Sequence, residues 1–287
     1  GRSASHIGLE CALKTQPNIT LISEEVAEKK QTLDHIVDYI VEVVAKRAEI
    51  GENYGVALIP EGLVEFVPEM KILISELNDL LAEGTDSEKE FKMLKKSHQR
   101  EWVALQLSNH SSALYESLPA GIANQLTLDR DPHGNVQVSL IETEKLLGEM
   151  VKNRLVEMAA ERKFKGKFNT QYHFFGYEGR CAAPSNFDAD YCYSLGYTAS
   201  VLVAAGVTGY MASVRNLTAP ATEWVAGGVP VTMMMNMEKR HGHRKPVIQK
   251  ALVDLNGAPY KYFIGKRAEW ALGTHYIYPG QIGRAHV

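Results

Sequence analysis

Cysteine is scarce, and nothing about its placement suggests structural use. The 287 residues hold three, Cys11, Cys181 and Cys192, with no CxxC pair and no Cys/His zinc spacing. An odd, small number in a chain of this size argues for reduced thiols in a reducing compartment rather than for a disulfide framework. No signal-peptide pattern opens the chain, and no apolar run reaches the ~18 residues of a membrane span. The expectation is a cytoplasmic protein with no membrane partner. Charge of one sign is not in excess either: the formal net charge is -3, so nothing advertises a nucleic-acid partner. Gly-rich phosphate loops of the Walker or dinucleotide type are absent, as are internal repeats and low-complexity segments.

What remains is the composition of a soluble globular protein, 45% hydrophobic and 23% charged. The chain is long enough for one large core or two modest ones. "SASHIGLECALKT" places Ile7, Cys11 and Leu13 near one helical face behind Ser3 or Ser5 as N-cap. "NITLIS" is a short apolar strand. "TLDHIVDYIVEVVAKRAE" carries Leu33, Ile36, Ile40, Val43 and Val44 at amphipathic spacing. A second strand, "GVALIPEG", stops at Pro60, and "EMKILISELNDLLAEG" is a helix closed by Gly84. Strand alternating with helix predicts βαβ units and a largely parallel sheet flanked by helices.

From residue 86 to residue 163 the strand signal nearly vanishes. "SEKEFKMLKKSHQREWVALQL" and "IETEKLLGEMVKNRLVEMAAERK" are helical, separated by "LTLDRDPHGNVQVSL", a turn between short extended segments. The pattern then resumes with a strand in "TQYHFFGYEGR" and a helix in "NFDADYCYSLGYTASVLVAAG", capped by Ser185 or Asn186 and closed by Gly206. "GYMASVRN" and "PVIQKALVDL" read as strands or strand ends. The organisation expected is an α/β part over 1–85, a mainly helical insertion over 86–163 and a return strand over 164–178. A segment over 179–229, a C-terminal segment over 230–281 and a tail of non-native origin over 282–287 complete it.

Three polar clusters fall at strand ends or helix starts: Gly1-Arg2, Pro60-Glu61-Gly62 and Tyr177-Glu178-Gly179-Arg180. Taken singly, each has an ordinary structural reading as a surface cation, a turn or an exposed ion pair. Their recurrence where open parallel sheets bind ligands favours a site. Arg2 and Arg180 supply guanidinium forks for a phosphate, while Glu61 and Tyr177 supply a carboxylate and a phenol for hydroxyls. His241 and His243 read as solvent-exposed rather than as a metal pair. Met233-Met234-Met235 reads as core filler.

These clusters resemble the phosphofructokinases, and within them the long-chain, pyrophosphate-dependent clade. "GRSASHIGLECAL" is similar to the family's Met-Gly-Arg segment, and "GVALIPEGLVEFVPE" to its Pro-Glu-Gly turn. "DRDPHGNVQVSLIETEKLL" and "HFFGYEGRCAAPSNFDADYCYSLG" are similar to long-clade segments, in consistent order from Gly1 to about Gly280. The resemblance implies a phosphofructokinase-like α/β fold and reversible phosphoryl transfer from pyrophosphate to the 1-hydroxyl of fructose 6-phosphate, giving fructose 1,6-bisphosphate, with Mg2+. It gives Gly1, Arg2, Glu61, Tyr177, Glu178, Gly179 and Arg180 to substrate binding, with Arg180 the main cation for the 6-phosphate. It also implies a homodimer or larger assembly; Gln171 stands where short-chain relatives carry an arginine.

The family's Gly-Gly-Asp-Asp donor loop and Lys-Thr-Ile-Asp-Gly-Asp base segment do not occur in this sequence. The expectation is therefore a C-terminal fragment, inactive alone, with no catalytic residue and no metal ligand of its own. The incomplete fold would lack an N-terminal donor domain. Residues 179–229 would pack on that domain, leaving Leu202, Val203 and Met211 more exposed than their type suggests. The alternatives are an ATP-dependent phosphofructokinase, a non-catalytic regulatory subunit of the same fold, and a non-enzymatic sugar-phosphate-binding protein.

Overall fold

The computed structural model describes residues 4–128, 136, 141–176, 184–240, 243–248 and 251–278. They divide into two compact units. The first runs to His173 and takes in Ala251–Tyr278; the second lies between Phe174 and Lys250.

The first unit begins with α1 (His6–Thr15), β1 (Ile19–Thr20), α2 (Ser23–Glu28), α3 (Leu33–Glu49) and β2 (Ala57–Leu58). β1 and β2 pair in parallel, Ile19 opposite Ala57 and Thr20 opposite Leu58. This bears out the α/β reading, with the parallel pairing confined to two residues per strand. Between them, α3 buries Leu33, Ile36, Val37, Ile40, Val41 and Val43 along one side. Thr32 starts it through a reciprocal cap: its hydroxyl accepts from His35 N at 3.3 Å and His35 Nδ1 accepts from Thr32 N at 3.2 Å. Ser5 occupies the N-cap position of α1 but does not cap it. Its hydroxyl instead accepts from Ser23 N at 2.9 Å, tying the start of α1 to the far side of β1.

After β2, a 3₁₀ turn at Leu63–Glu65 leads into α4 (Pro68–Leu80). Then follow α5 (Asp86–Met93), α6 (Lys96–Gln106), α7 (Asn109–Ser117), α8 (Ala120–Leu128) and α9 (Thr143–Ala160). These helices share one apolar core with α3, through residues such as Leu73, Leu77, Tyr115, Leu126 and Leu146. Arg154 of α9 reaches Asp38 of α3 at 2.7 Å. Leu126 and Thr127, expected in an extended segment, are helical; the Thr127 hydroxyl donates back to the Ala123 carbonyl at 3.1 Å. The Asp131–Asn135 turn signal lies outside the described residues.

Residues 164–173 contain no strand, and the stretch 174–176 that opens the second unit contains none either. A strand exists only by pairing, and no partner strand for this segment occurs among the described residues.

The second unit holds α10 (Asn186–Ala204) and two antiparallel hairpins, β3 (Tyr210–Arg215) with β4 (Val225–Pro230) and β5 (Met235–Arg240) with β6 (His243–Ile248). Ser185 caps α10 through a box with Asp188, the Ser185 hydroxyl accepting from Asp188 N at 3.2 Å. Gly206, with φ +67, ends it. Leu202 lies half-buried against Gly228 of β4, while Met211 is exposed and Val203 is 78% exposed. Met233, Met234 and Met235 are also exposed, a correction to their reading as core filler. The second unit is too thin to enclose them: Val214 and Thr198, at 6% and 8% exposed, are the buried side chains among those described in it.

The chain then returns to the first unit and closes it with α11 (Ala258–Leu272), a helix the sequence reading does not identify although Pro259 stands in its first turn and Tyr260, Phe263 and Trp270 recur at helical spacing. Its Tyr260, Phe263 and Trp270 pack with Leu9 and Ala12 of α1 and Ile22. Asn18 and Arg47 seize its last turn. Asn18 Nδ2 donates to the carbonyls of Trp270 and Gly273 at 3.1 and 2.9 Å. Arg47 Nη1 donates to those of Leu272 and Gly273 at 2.8 and 2.7 Å. These are the carbonyls that a helix end leaves without internal partners, and a cation is favoured there.

Candidate functional site

The carboxyl ends of β1 and β2 lie side by side, because the strands are parallel and in register. β2 runs out through Ile59 and Pro60 into a turn held by its own backbone. Leu63 N donates to the Pro60 carbonyl and Glu65 N to the Gly62 carbonyl, both at 3.1 Å. Glu61 stands at the crest of this turn. Its carbonyl accepts from the hydroxyl of Thr143, the first residue of α9, at 3.2 Å. Its side chain is half-buried. No hydrogen bond or ion pair engages its carboxylate among the described residues. The backbone is thus fixed and the carboxylate left available, which suits a group that must accept from a ligand's hydroxyls.

Beyond β1 the chain turns through Ile22 and Ser23 to Glu24, which is 6% exposed. Its Oε1 accepts from Ser5 N and from Val253 N, each at 3.0 Å. Burial pushes this carboxyl up, but the backbone N–H groups of Val253 and Ser5 outweigh burial and hold it below the ordinary value. The result fixes Ser5, three residues after Arg2 in the sequence, to the carboxyl end of β1.

Of the seven residues assigned to substrate binding, the structure describes Glu61. Gly1, Arg2, Tyr177, Glu178, Gly179 and Arg180 lie outside the described residues, as does the 282–287 tail. Sequence reading missed Thr143 and Glu24. A threonine opening a helix and an acid after an apolar strand are commonplace, and their significance rests on contacts to distant residues. No cluster of three histidine, cysteine or acidic side chains suited to a metal occurs among the described residues, and none of the described helices is long and apolar enough to cross a membrane.

No family model matches the chain. Curated relatives do. It is 59% identical to the pyrophosphate–fructose 6-phosphate 1-phosphotransferase of Porphyromonas gingivalis over 290 aligned residues, covering 100% of this chain and 52% of the relative. The enzyme of that name from Treponema pallidum is 57% identical over 98% of this chain and 49% of its own length. The beta 1 subunit of the Arabidopsis thaliana enzyme is 54% identical over 98% of this chain and 48% of its own length. The chain therefore belongs to the family of pyrophosphate-dependent phosphofructokinases, and it spans about half the length of the curated relatives it matches.

Proposed function

We propose that the chain supplies the sugar-phosphate side of an enzyme that moves a phosphoryl group reversibly between pyrophosphate and the 1-hydroxyl of fructose 6-phosphate. The observation that carries this reading is identity above 50%, along essentially the whole chain, to relatives bearing that activity in their names. In this role Arg180 takes the 6-phosphate with Arg2 as a second cation, Gly1 and Gly179 let the backbone approach, and Tyr177 and Glu178 complete the substrate segment. Glu61 accepts from sugar hydroxyls. Phosphoryl transfer depends on positioning and charge neutralisation more than on covalent chemistry by the protein, so these residues act by fixing where the attacking hydroxyl stands. Magnesium belongs to the proposed reaction, but the described residues offer it no ligand cluster, and the binding roles of Arg180, Arg2 and Glu61 do not depend on it. A cytoplasmic location and an assembly of at least two subunits complete the reading.

The test is calorimetric titration of fructose 6-phosphate into the chain and its Arg180→Ala and Glu61→Gln variants. Removal of a phosphate cation weakens binding by about 2–5 kcal/mol, and loss of a carboxylate acceptor by about 1–3 kcal/mol. Equal affinity in all three proteins overturns the assignment.

The segment 179–229 belongs to the same proposal. α10 is apolar around its circumference: one side meets the β3–β4 hairpin, while Tyr193, Tyr197, Val201 and Val203 are exposed. A helix of that kind is one that a larger structure buries. The occupant proposed is the part of the enzyme's polypeptide that carries the donor site.

A further inference from the structure

Ser5 is 1% exposed, and each of its polar groups is committed. Its carbonyl accepts from Leu9 N at 2.9 Å, the opening bond of α1. Its N–H and hydroxyl do not serve that helix. The N–H donates to Glu24 Oε1 at 3.0 Å, and the hydroxyl accepts from Ser23 N at 2.9 Å. A serine at a helix N-cap ordinarily turns its oxygen onto the N–H groups of the first turn. Here α1 goes without that cap, and the serine instead binds the start of α1 to the segment just past the carboxyl end of β1.

The body of α1 needs no such tie. Leu9 and Ala12 pack with Tyr260, Phe263 and Trp270 of α11 and with Ile22, and that apolar contact holds the helix in place. What the Glu24 carboxylate adds is the position of the helix's leading end. It does so from a fixed base: Glu24 is buried, and the same Oε1 also accepts from Val253 N at 3.0 Å. Arg2 precedes Ser5 by three residues in the sequence, and three residues of backbone reach at most ~11 Å. A binding group is effective only when held in place, and a misplacement of about 1 Å can cost ~100-fold. We propose that Glu24 is a positioning residue for the sugar phosphate. By anchoring Ser5 it sets where the segment that carries Arg2 begins, and so where Arg2 meets the 6-phosphate; it acts through the backbone and not by contact with the substrate. The proposal rests on the assignment of Arg2 as a phosphate cation.

The experiment is a double-mutant cycle, read as fructose 6-phosphate affinity by calorimetric titration of the 287-residue chain. Arg2→Ala weakens binding by at least about thirtyfold in the parent. In a Glu24→Leu background, where the acceptor for Ser5 N is gone, the same change costs less than about threefold. Glu24→Gln keeps an uncharged oxygen for both N–H groups and restores part of Arg2's contribution, between those limits. Asn18→Leu controls for stability alone, since Asn18 ties the amino end of β1 to the end of α11; there Arg2→Ala keeps its full effect. An equal Arg2→Ala penalty in the parent and in Glu24→Leu overturns the positioning role and leaves the assignment of Arg2 intact. Loss of Arg2's contribution in Asn18→Leu as well also overturns it, because general destabilisation then suffices. No effect of Arg2→Ala in the parent removes Arg2 from the phosphate, and the role of Glu24 falls with it. Should Glu24→Leu fail to fold, Glu24→Gln carries the comparison, and an undiminished Arg2→Ala penalty there decides against the proposal.

Discussion

Arg47 is 2% exposed, yet among the described residues no carboxylate forms a close pair with it; Glu52 approaches only to 3.8 Å. Its charge is instead spread over carbonyls, those of Leu272 and Gly273 and, through Nε at 3.1 Å, that of Tyr54. The planar fork is what reaches three acceptors at once, so lysine is no substitute. Arg47→Met is expected to lower unfolding free energy by about 2–4 kcal/mol, and Arg47→Lys by more than half as much, because both leave buried carbonyls unpaired. Urea unfolding checks both values. Glu24 and Glu25 add a pH dependence. In Glu25, burial pushes the carboxyl up but Arg267 and Lys29 prevail and hold it below the ordinary value, as the backbone N–H groups do for Glu24. A group depressed on folding stabilises above its unfolded value, near ~4.3, and that stabilisation is lost as pH falls through the lower folded value. Thermal stability should therefore drop below about pH 4. Glu24→Gln should be less stable at neutral pH with a flatter acid limb; parallel limbs in the two proteins would count against the carboxylate's role.

Among the helices and strands, those with a local signature are legible in the sequence. The α3 stripe of Leu33, Ile36 and Ile40 is buried as its spacing requires. Ser185 caps α10, and β1 and β2 occupy the two apolar runs identified as strands. Glu61 is legible because a Pro-Glu-Gly turn after an apolar strand is itself a local pattern. Its support is not: Thr143 lies 82 residues away, and Glu24 gathers N–H groups from both Ser5 and Val253. The same holds for the clamp on α11, where Asn18 reaches across 252 residues. Asn18→Leu, which removes the amide that ties β1 to the α11 end, should cost about 2–3 kcal/mol. It should raise amide exchange in 258–272 more than in α3. α10 differs, since its apolar residues are visible in sequence while what covers them is not. Tyr197→Lys and Val203→Lys are expected to change the chain's unfolding free energy by less than about 0.5 kcal/mol and to reduce dye binding to exposed apolar surface. A large destabilisation would mean that these side chains pack within the second unit.

For the molecule as a whole, the decisive quantity is how much of a phosphoryl transfer this chain can perform. Such a reaction requires donor and acceptor held in line, with the developing charge neutralised on the phosphoryl group. The chain matches about half of each relative, and by resemblance it carries the acceptor's residues without the donor loop or the base segment. Binding the sugar phosphate and turning it over should therefore separate. Fructose 6-phosphate should bind, with affinity sensitive to Arg180→Ala, while incubation with pyrophosphate and magnesium forms no fructose 1,6-bisphosphate above a heat-killed control. Turnover by the purified chain would mean that it contains a donor site and a base its sequence does not reveal. Absence of both turnover and binding would instead place the sugar-phosphate contacts beyond these 287 residues. A coupled assay run beside the calorimetric titration distinguishes the three outcomes. Of these, only binding without turnover agrees with the proposed acceptor site, in which Glu61, just beyond the carboxyl end of a parallel strand, is assigned the carboxylate's part.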